Sequence, residues 1–175
     1  MTNSFSLAEK SLQEHNIVFP ELIAHYETQK DPYSCSLASL TMVLNAIQKD
    51  KKFTQKEIIS MFPDWEDALE SGIGVNLDQL LDISLELGFK VKCSRNPQEM
   101  IDDLTSQRIV LANYLKNWVG HFSPIGAYDP LNQKILILDV DPEQIPYWVP
   151  LDALVANMQT LDPQTKKFRG FLTFY

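Results

Sequence analysis

The chain has 175 residues, 45% apolar and 22% charged, a size and balance that suit a soluble globular protein with its own core. A net charge of −8 and a pI near 4.8 argue against a nucleic-acid or anionic-membrane surface, and KDKK (49–52) and KK (166–167) read as solvated loop charges. No apolar run reaches the roughly 18 residues of a membrane span, and the start, MTNSFSLAEKSLQEHN, lacks the pattern of a secretory signal. Two cysteines are too few for a disulfide scaffold and have no partners at zinc-ligand spacing.

Without repeats, low-complexity tracts or Gly/Ser linkers, residues 1–175 read as a single domain in a reducing, cytoplasmic setting. Residues 6–15 read as a short helix closed off before Pro20. Residues 35–48 carry Leu37, Leu40, Val43, Leu44 and Ile47 at helical spacing. TQKE at 54–57 is a capping box for a helix through about Met61. Asn76 caps another, with Leu77, Leu80, Leu81 and Leu85 on one face and Gly88 as its stop. Asn96-Pro97 starts a helix through about Leu104. The second half turns to strands: RIVLANY (108–114), then GHFSPIGAYD and KILILDV around the turn at 129–133, which is a β-hairpin. A helix near 151–159 and a strand GFLTFY complete an α+β chain, its N-terminal helical part packed on a C-terminal, mainly antiparallel sheet.

The residues that bear on chemistry begin with Cys35, where the chain enters a helix. A helix N-terminus favours a thiolate, yet a cysteine there also serves as a small buried hydrophobe. A nucleophilic thiol needs a base, and the base needs an orienting partner. Of the three histidines, His15 and His25 have no nearby strand-borne carboxylate. His121 opens one hairpin arm and Asp139 closes the other, and antiparallel pairing about residue 131 places 121–123 opposite roughly 139–141. Asp139, ending the apolar run ILILDV, needs a partner, and a ring nitrogen of His121 would satisfy it and leave the other nitrogen for the thiol. The Cys35 N–H and Gln29 are candidate oxyanion donors. The alternatives stand beside this: a structural histidine and a turn-forming aspartate. Cys93, in FKVKCS, reads as structural.

TQKDPYSCSLASLTMVLNAI resembles the nucleophile segment of the phytochelatin synthase family, and GHFSPIGAYD its histidine segment. ILILDVDPEQIPYWVP is similar to its aspartate segment, and MQTLDPQTKKFRGFLTF to its closing one; FSLAEK and VFPELIAHYETQ resemble its lead-in. The resemblance implies a papain-like fold and acyl transfer on glutathione: cleavage of the Cys–Gly bond by Cys35, with His121 as base and then acid, Asp139 orienting it and Gln29 in the oxyanion hole. The γ-Glu-Cys acyl group would pass to water or to a second glutathione. The family's closing segment implies that Asp162 and Arg169 hold the γ-glutamyl ammonium and carboxylate, chemistry that suits a carboxylate and a guanidinium; a loop–strand salt bridge is the alternative. No cofactor is implied for hydrolysis, while Cd or Zn could enter as a substrate thiolate. The partner is a small peptide, not nucleic acid or membrane, with a homodimer left open.

The chain departs from the family at Ser36, where glycine usually follows the nucleophile, in a shorter stretch between Asn113 and His121, and in Asp141-Pro142-Glu143-Gln144, where the family carries a basic run. The lost positive charge points toward hydrolysis over transfer. Two other readings stay open: a papain-like peptidase acting on another γ-glutamyl or short peptide, and a non-catalytic module binding thiol peptides or metal.

Overall fold

A computed structural model of the chain describes residues 18–48 and 50–175. The expected helix at 6–15, with His15, lies outside them. Seven helices and six strands are described: α1 (Val18–Ile23), α2 (Cys35–Ile47), α3 (Gln55–Met61), α4 (Pro63–Glu70), α5 (Leu77–Glu86), β1 (Val91–Ser94), α6 (Pro97–Thr105), β2 (Ile109–Lys116), β3 (Val119–Asp129), β4 (Lys134–Ile137), β5 (Tyr147–Pro150), α7 (Leu151–Met158) and β6 (Phe171–Phe174).

Helix starts follow their capping chemistry. Thr54 and Glu57 close a reciprocal capping box on α3, Asn76 and Gln79 close another on α5, and the Asn96 side chain accepts from Gln98 N at 3.1 Å ahead of α6. On α5 the buried face is Leu77, Leu80, Ile83 and Ser84, whereas Leu85 is 50% exposed. The expected leucine stripe is therefore rotated: with 100° per residue, Ser84 rather than Leu85 lies beneath Leu77 and Leu80. Helix α2 is not merely amphipathic, because every residue from Cys35 to Ala46 is buried.

The strands form one antiparallel sheet in the order β1-β6-β2-β3-β4-β5. Side-chain alternation divides it into two apolar faces. Leu111, Leu136, Leu138 and Leu172 pack with α2 and the other N-terminal helices; Val110, Ala112, Ile135, Ile137 and Phe171 pack with α6 and α7. The expected helix-on-sheet contact is present, and a second helical layer on the far face comes with it. Within this α+β fold the long helix α2 lies against β3, with Ser39 Oγ donating to Phe122 O at 3.0 Å. That bond pins the start of α2 beside the residue that follows His121.

Candidate active site

A tight turn delivers Cys35. Asp31 Oδ1 accepts from Tyr33 N at 3.0 Å, and Ser34 Oγ and Asp31 O lie 3.2 Å apart. Helix α2 then begins at Cys35 itself, with Ser34 as its N-cap, so the first-turn N–H groups lie close to the sulfur. Cys35 is 8% exposed.

His121 is delivered by β3. Its strand partner across the β2–β3 ladder is Tyr114, whose ring meets the imidazole edge-on at 5.7 Å, and Asn113 Nδ2 donates to His121 O at 3.2 Å. The β2–β3 connection is a two-residue turn, Asn117-Trp118, with φ of 49° and 68°. Left-handed backbone is rare for a bulky residue, and Trp118 is 93% exposed there.

Asp139 follows β4. The β3–β4 ladder pairs Ile125 with Ile137, shifts register between Ile125 and Ala127, and continues through Leu138 N donating to Pro124 O at 3.0 Å. One more residue places the fully buried Asp139 carboxylate against the imidazole: His121 Nε2 to Asp139 Oδ1 is 2.8 Å. The hairpin arithmetic read from the sequence thus brings these two side chains together. Nε2 is taken, which leaves Nδ1 as the ring nitrogen free to serve Cys35.

Around Asp139 the structure adds partners that the sequence reading missed. Asp141 N donates to Oδ1 at 3.0 Å, Lys116 Nζ to Oδ2 at 2.8 Å and Tyr147 OH to Oδ2 at 3.0 Å; Tyr26 OH donates to the Asp139 backbone carbonyl at 2.5 Å. Burial opposes ionisation of this carboxyl, but the hydrogen bond and charge of His121, with hydrogen bonds from Lys116 and Asp141 N, hold it well below the usual carboxylate range. Burial also opposes the charged imidazole; hydrogen bonds with Asp139 and Cys35, together with their charges, outweigh it and raise His121 from 6.5 to about 9. A cysteine–imidazolium arrangement oriented by a buried carboxylate is what nucleophilic thiol chemistry requires.

Two clefts flank this centre. One, of about 520 Å³, is lined by Cys35, Ser36, Asn113, Gly120, Asp162 and Arg169 among others. Its rim is apolar: Tyr33, Ile73, Trp118, Val119 and Leu161 line it, each between 47% and 93% exposed. Inside, Arg169 Nη1 and Asp162 Oδ2 are 3.4 Å apart, a loose pair, and the buried Nε of Arg169 has no partner. The guanidinium lies over Gly120, where a Cβ would come within 2.5 Å of Nη1. Burial lowers the Arg169 pKa, against the charges of Asp162 and Cys35. The second cleft, of about 420 Å³, is lined by Gln29, Lys30, Asp31, Lys116, His121 and Asp141, with Glu143 beside them.

Gln29 is held by its backbone N donating to Val140 O at 2.7 Å, and its Nε2 donates to Asp31 O at 3.0 Å. An amide nitrogen carries two hydrogens, so one remains. Cys93 is half-buried on β1, within 3.7 Å of Arg95 Nη1, and lines neither cleft; burial raises its pKa. Among the described residues, no three His, Cys, Asp or Glu side chains converge as a metal-binding group, and no helix is long and apolar enough to cross a membrane.

Fold and site together define a papain-like α+β protein with a thiol–imidazole–carboxylate centre. Solved structures agree on the fold: the peptidase domain of Streptococcus ComA, a bi-functional ABC transporter, matches 85% of this chain and 94% of its own at TM-score 0.57 and 14% identity, and that of Streptococcus mutans ComA matches at 0.51 and 13%, covering 86% and 98%. The phytochelatin synthase family model matches residues 2–171, and the chain belongs to that family. Relatives include glutathione gamma-glutamylcysteinyltransferases 1 and 2 of Arabidopsis thaliana, 31% and 32% identical over 88% and 86% of this chain, and that of Schizosaccharomyces pombe, 25% identical over 98%. The chain spans less than half the length of these relatives, 36%, 38% and 43%.

Proposed function

We propose that this protein cleaves the Cys–Gly bond of glutathione through a γ-Glu-Cys acyl-enzyme on Cys35. The observation that carries the reading is the buried Cys35–His121–Asp139 centre placed beside an under-bonded Asp162–Arg169 pair. Cys35 Sγ attacks the Cys–Gly carbonyl carbon, and the Cys35 N–H and the remaining Gln29 amide hydrogen stabilise the oxyanion. His121, charged at neutral pH, gives its proton to the departing glycine nitrogen as the C–N bond breaks. Asp139 holds the ring by Nε2 throughout. Arg169 takes the γ-glutamyl carboxylate and Asp162 its ammonium, completing the bonds these two side chains lack. Water, activated by His121, then releases γ-glutamylcysteine and the Cys35 thiolate; a second glutathione as acceptor gives (γ-Glu-Cys)₂-Gly. Divalent Cd or Zn enters as part of a substrate thiolate, no cofactor is needed for hydrolysis, and the setting is cytoplasmic.

A second reading, a peptidase acting on a longer peptide, is favoured by the apolar rim, which exceeds what a tripeptide of polar ends requires. A mass-spectrometric time course with glutathione, with and without Cd²⁺, alongside Cys35→Ala, separates the two. Glycine and γ-glutamylcysteine from the wild type alone support the glutathione reading. No glycine release with an intact fold transfers the site to another peptide.

A further inference from the structure

Chemistry divides the cleft system at Cys35. The γ-glutamyl side holds Asp162 and Arg169, while the His121 side receives the leaving amine. The acceptor must enter on that same side, because the imidazole that protonates the leaving group also takes the acceptor's proton. Once His121 has given its proton to the leaving amine, the charges there are Lys30 and Lys116 against Asp31, Asp141 and Glu143. Lys116 is not available to a ligand: Nζ is 2.8 Å from Asp139 Oδ2 and 3.0 Å from Asp141 Oδ2, and its side chain is 15% exposed. Asp141 is itself fixed, its N donating to Asp139 Oδ1 at 3.0 Å and its Oδ1 accepting from Glu143 N at 3.0 Å. Those bonds, first from Glu143 N and then from Lys116, hold its carboxyl below the usual range, so it stays ionised at neutral pH.

We infer that Asp141 determines which acceptor takes the acyl group: it clamps Lys116 onto Asp139, leaves an anionic wall beside His121 and so reserves the acyl-enzyme for water over a peptide acceptor bearing carboxylates. This rests on the glutathione reading above. Glutathione at neutral pH carries two carboxylates and one ammonium. For transfer, the acceptor's ammonium first loses a proton to solvent; the free α-amino nitrogen then attacks the thioester carbon while the C–S bond breaks, Cys35 leaves as thiolate and His121 takes the second amine proton. In hydrolysis the water oxygen attacks the same carbon, and His121 takes a water proton. Both routes use one acyl-enzyme and one imidazole. Damage to the triad therefore lowers both products together, whereas a changed wall alters their ratio.

The test is the ratio of (γ-Glu-Cys)₂-Gly to γ-glutamylcysteine made from glutathione by the wild type, Asp141→Asn and Asp141→Lys. The wild type is expected to make mainly γ-glutamylcysteine. The ratio is expected to rise about threefold or more in Asp141→Asn and further in Asp141→Lys, as like-charge repulsion is removed and then reversed. Because surface charges are screened by salt, the wild-type ratio should also rise with ionic strength, a measurement that needs no variant to fold. A ratio unchanged in variants that still release glycine, or one that falls with salt, overturns the inference and leaves the glutathione reading standing. A wild type that makes mainly the transfer product also overturns it. Absence of glycine release by the wild type removes the glutathione reading and the inference with it.

Discussion

Two buried aspartates flank the candidate nucleophile and are treated very differently by the fold. Asp139 is fully buried and saturated: His121, Lys116, Tyr147 and the Asp141 N–H all donate to its carboxylate. Asp162 is almost as buried, yet its Oδ1 is spent on its own loop, through Gln164 N and Thr165 N, and its Oδ2 meets Arg169 only at 3.4 Å. A carboxylate with every lone pair engaged fixes a neighbour's position. One with a stretched partner, facing a guanidinium whose Nε is unbonded, has capacity left for a ligand. The fold is rigid where the reaction needs orientation and unfinished where it needs a substrate.

The largest expected effects lie on the saturated side. Cys35→Ala and His121→Ala should each lower glycine release by about 10³-fold or more with the fold retained, read by circular dichroism alongside turnover. Asp139→Asn should lower kcat by about 10²- to 10⁴-fold, because an amide cannot hold the same tautomer against Nε2. It should also make the protein more alkali- and acid-tolerant in relative terms. The wild-type Asp139 carboxyl, with a depressed folded pKa, contributes stability above the ordinary carboxylate range that is lost as pH falls through the folded value. His121 has the opposite sign: its raised pKa contributes stability that is complete below about 6.5 and is lost as pH rises through about 9. A shift of the acid unfolding midpoint in Asp139→Asn no different from that of a surface Asp→Asn change would contradict this linkage.

The unfinished side should respond in binding instead. Arg169→Ala is expected to raise KM by about 10- to 100-fold with kcat changed less. Gly120→Ala sharpens the comparison, since its Cβ would displace the Arg169 guanidinium without removing any charge; it should reproduce the KM effect in part. A kcat loss without a KM change in both variants would make Asp162–Arg169 a structural salt bridge. Trp118→Ala, at the exposed rim, should raise KM only about two- to fivefold for glutathione, and a much larger loss on an apolar peptide would favour the second reading.

How far the sequence carries follows from the range of each interaction. The His121–Asp139 meeting was legible because a hairpin turns sequence spacing into register, and Cys35 because a turn followed by an apolar helix is a local pattern. Lys116, Tyr147 and Tyr26 were not legible as partners of Asp139, since they arrive from β2, β5 and the segment after α1, and no local rule relates them. Helices α1 and α4 escaped for a different reason: both are short, and α4 buries only Trp65 and Leu69 among acidic neighbours. Strand β5, four residues closed by Pro150, shows no full alternation to read. In the left-handed turn Asn117-Trp118 the asparagine suits its position, but tryptophan stands where local preference expects glycine.

Intact-protein mass spectrometry of the wild type and Cys35→Ala, quenched in acid during turnover of glutathione, tests the central claim most directly. The account predicts a γ-Glu-Cys adduct that maps to Cys35, forms before γ-glutamylcysteine accumulates and is absent from Cys35→Ala. Glycine release at near wild-type rate from Cys35→Ala, with no adduct on Cys35 in the wild type, would contradict it.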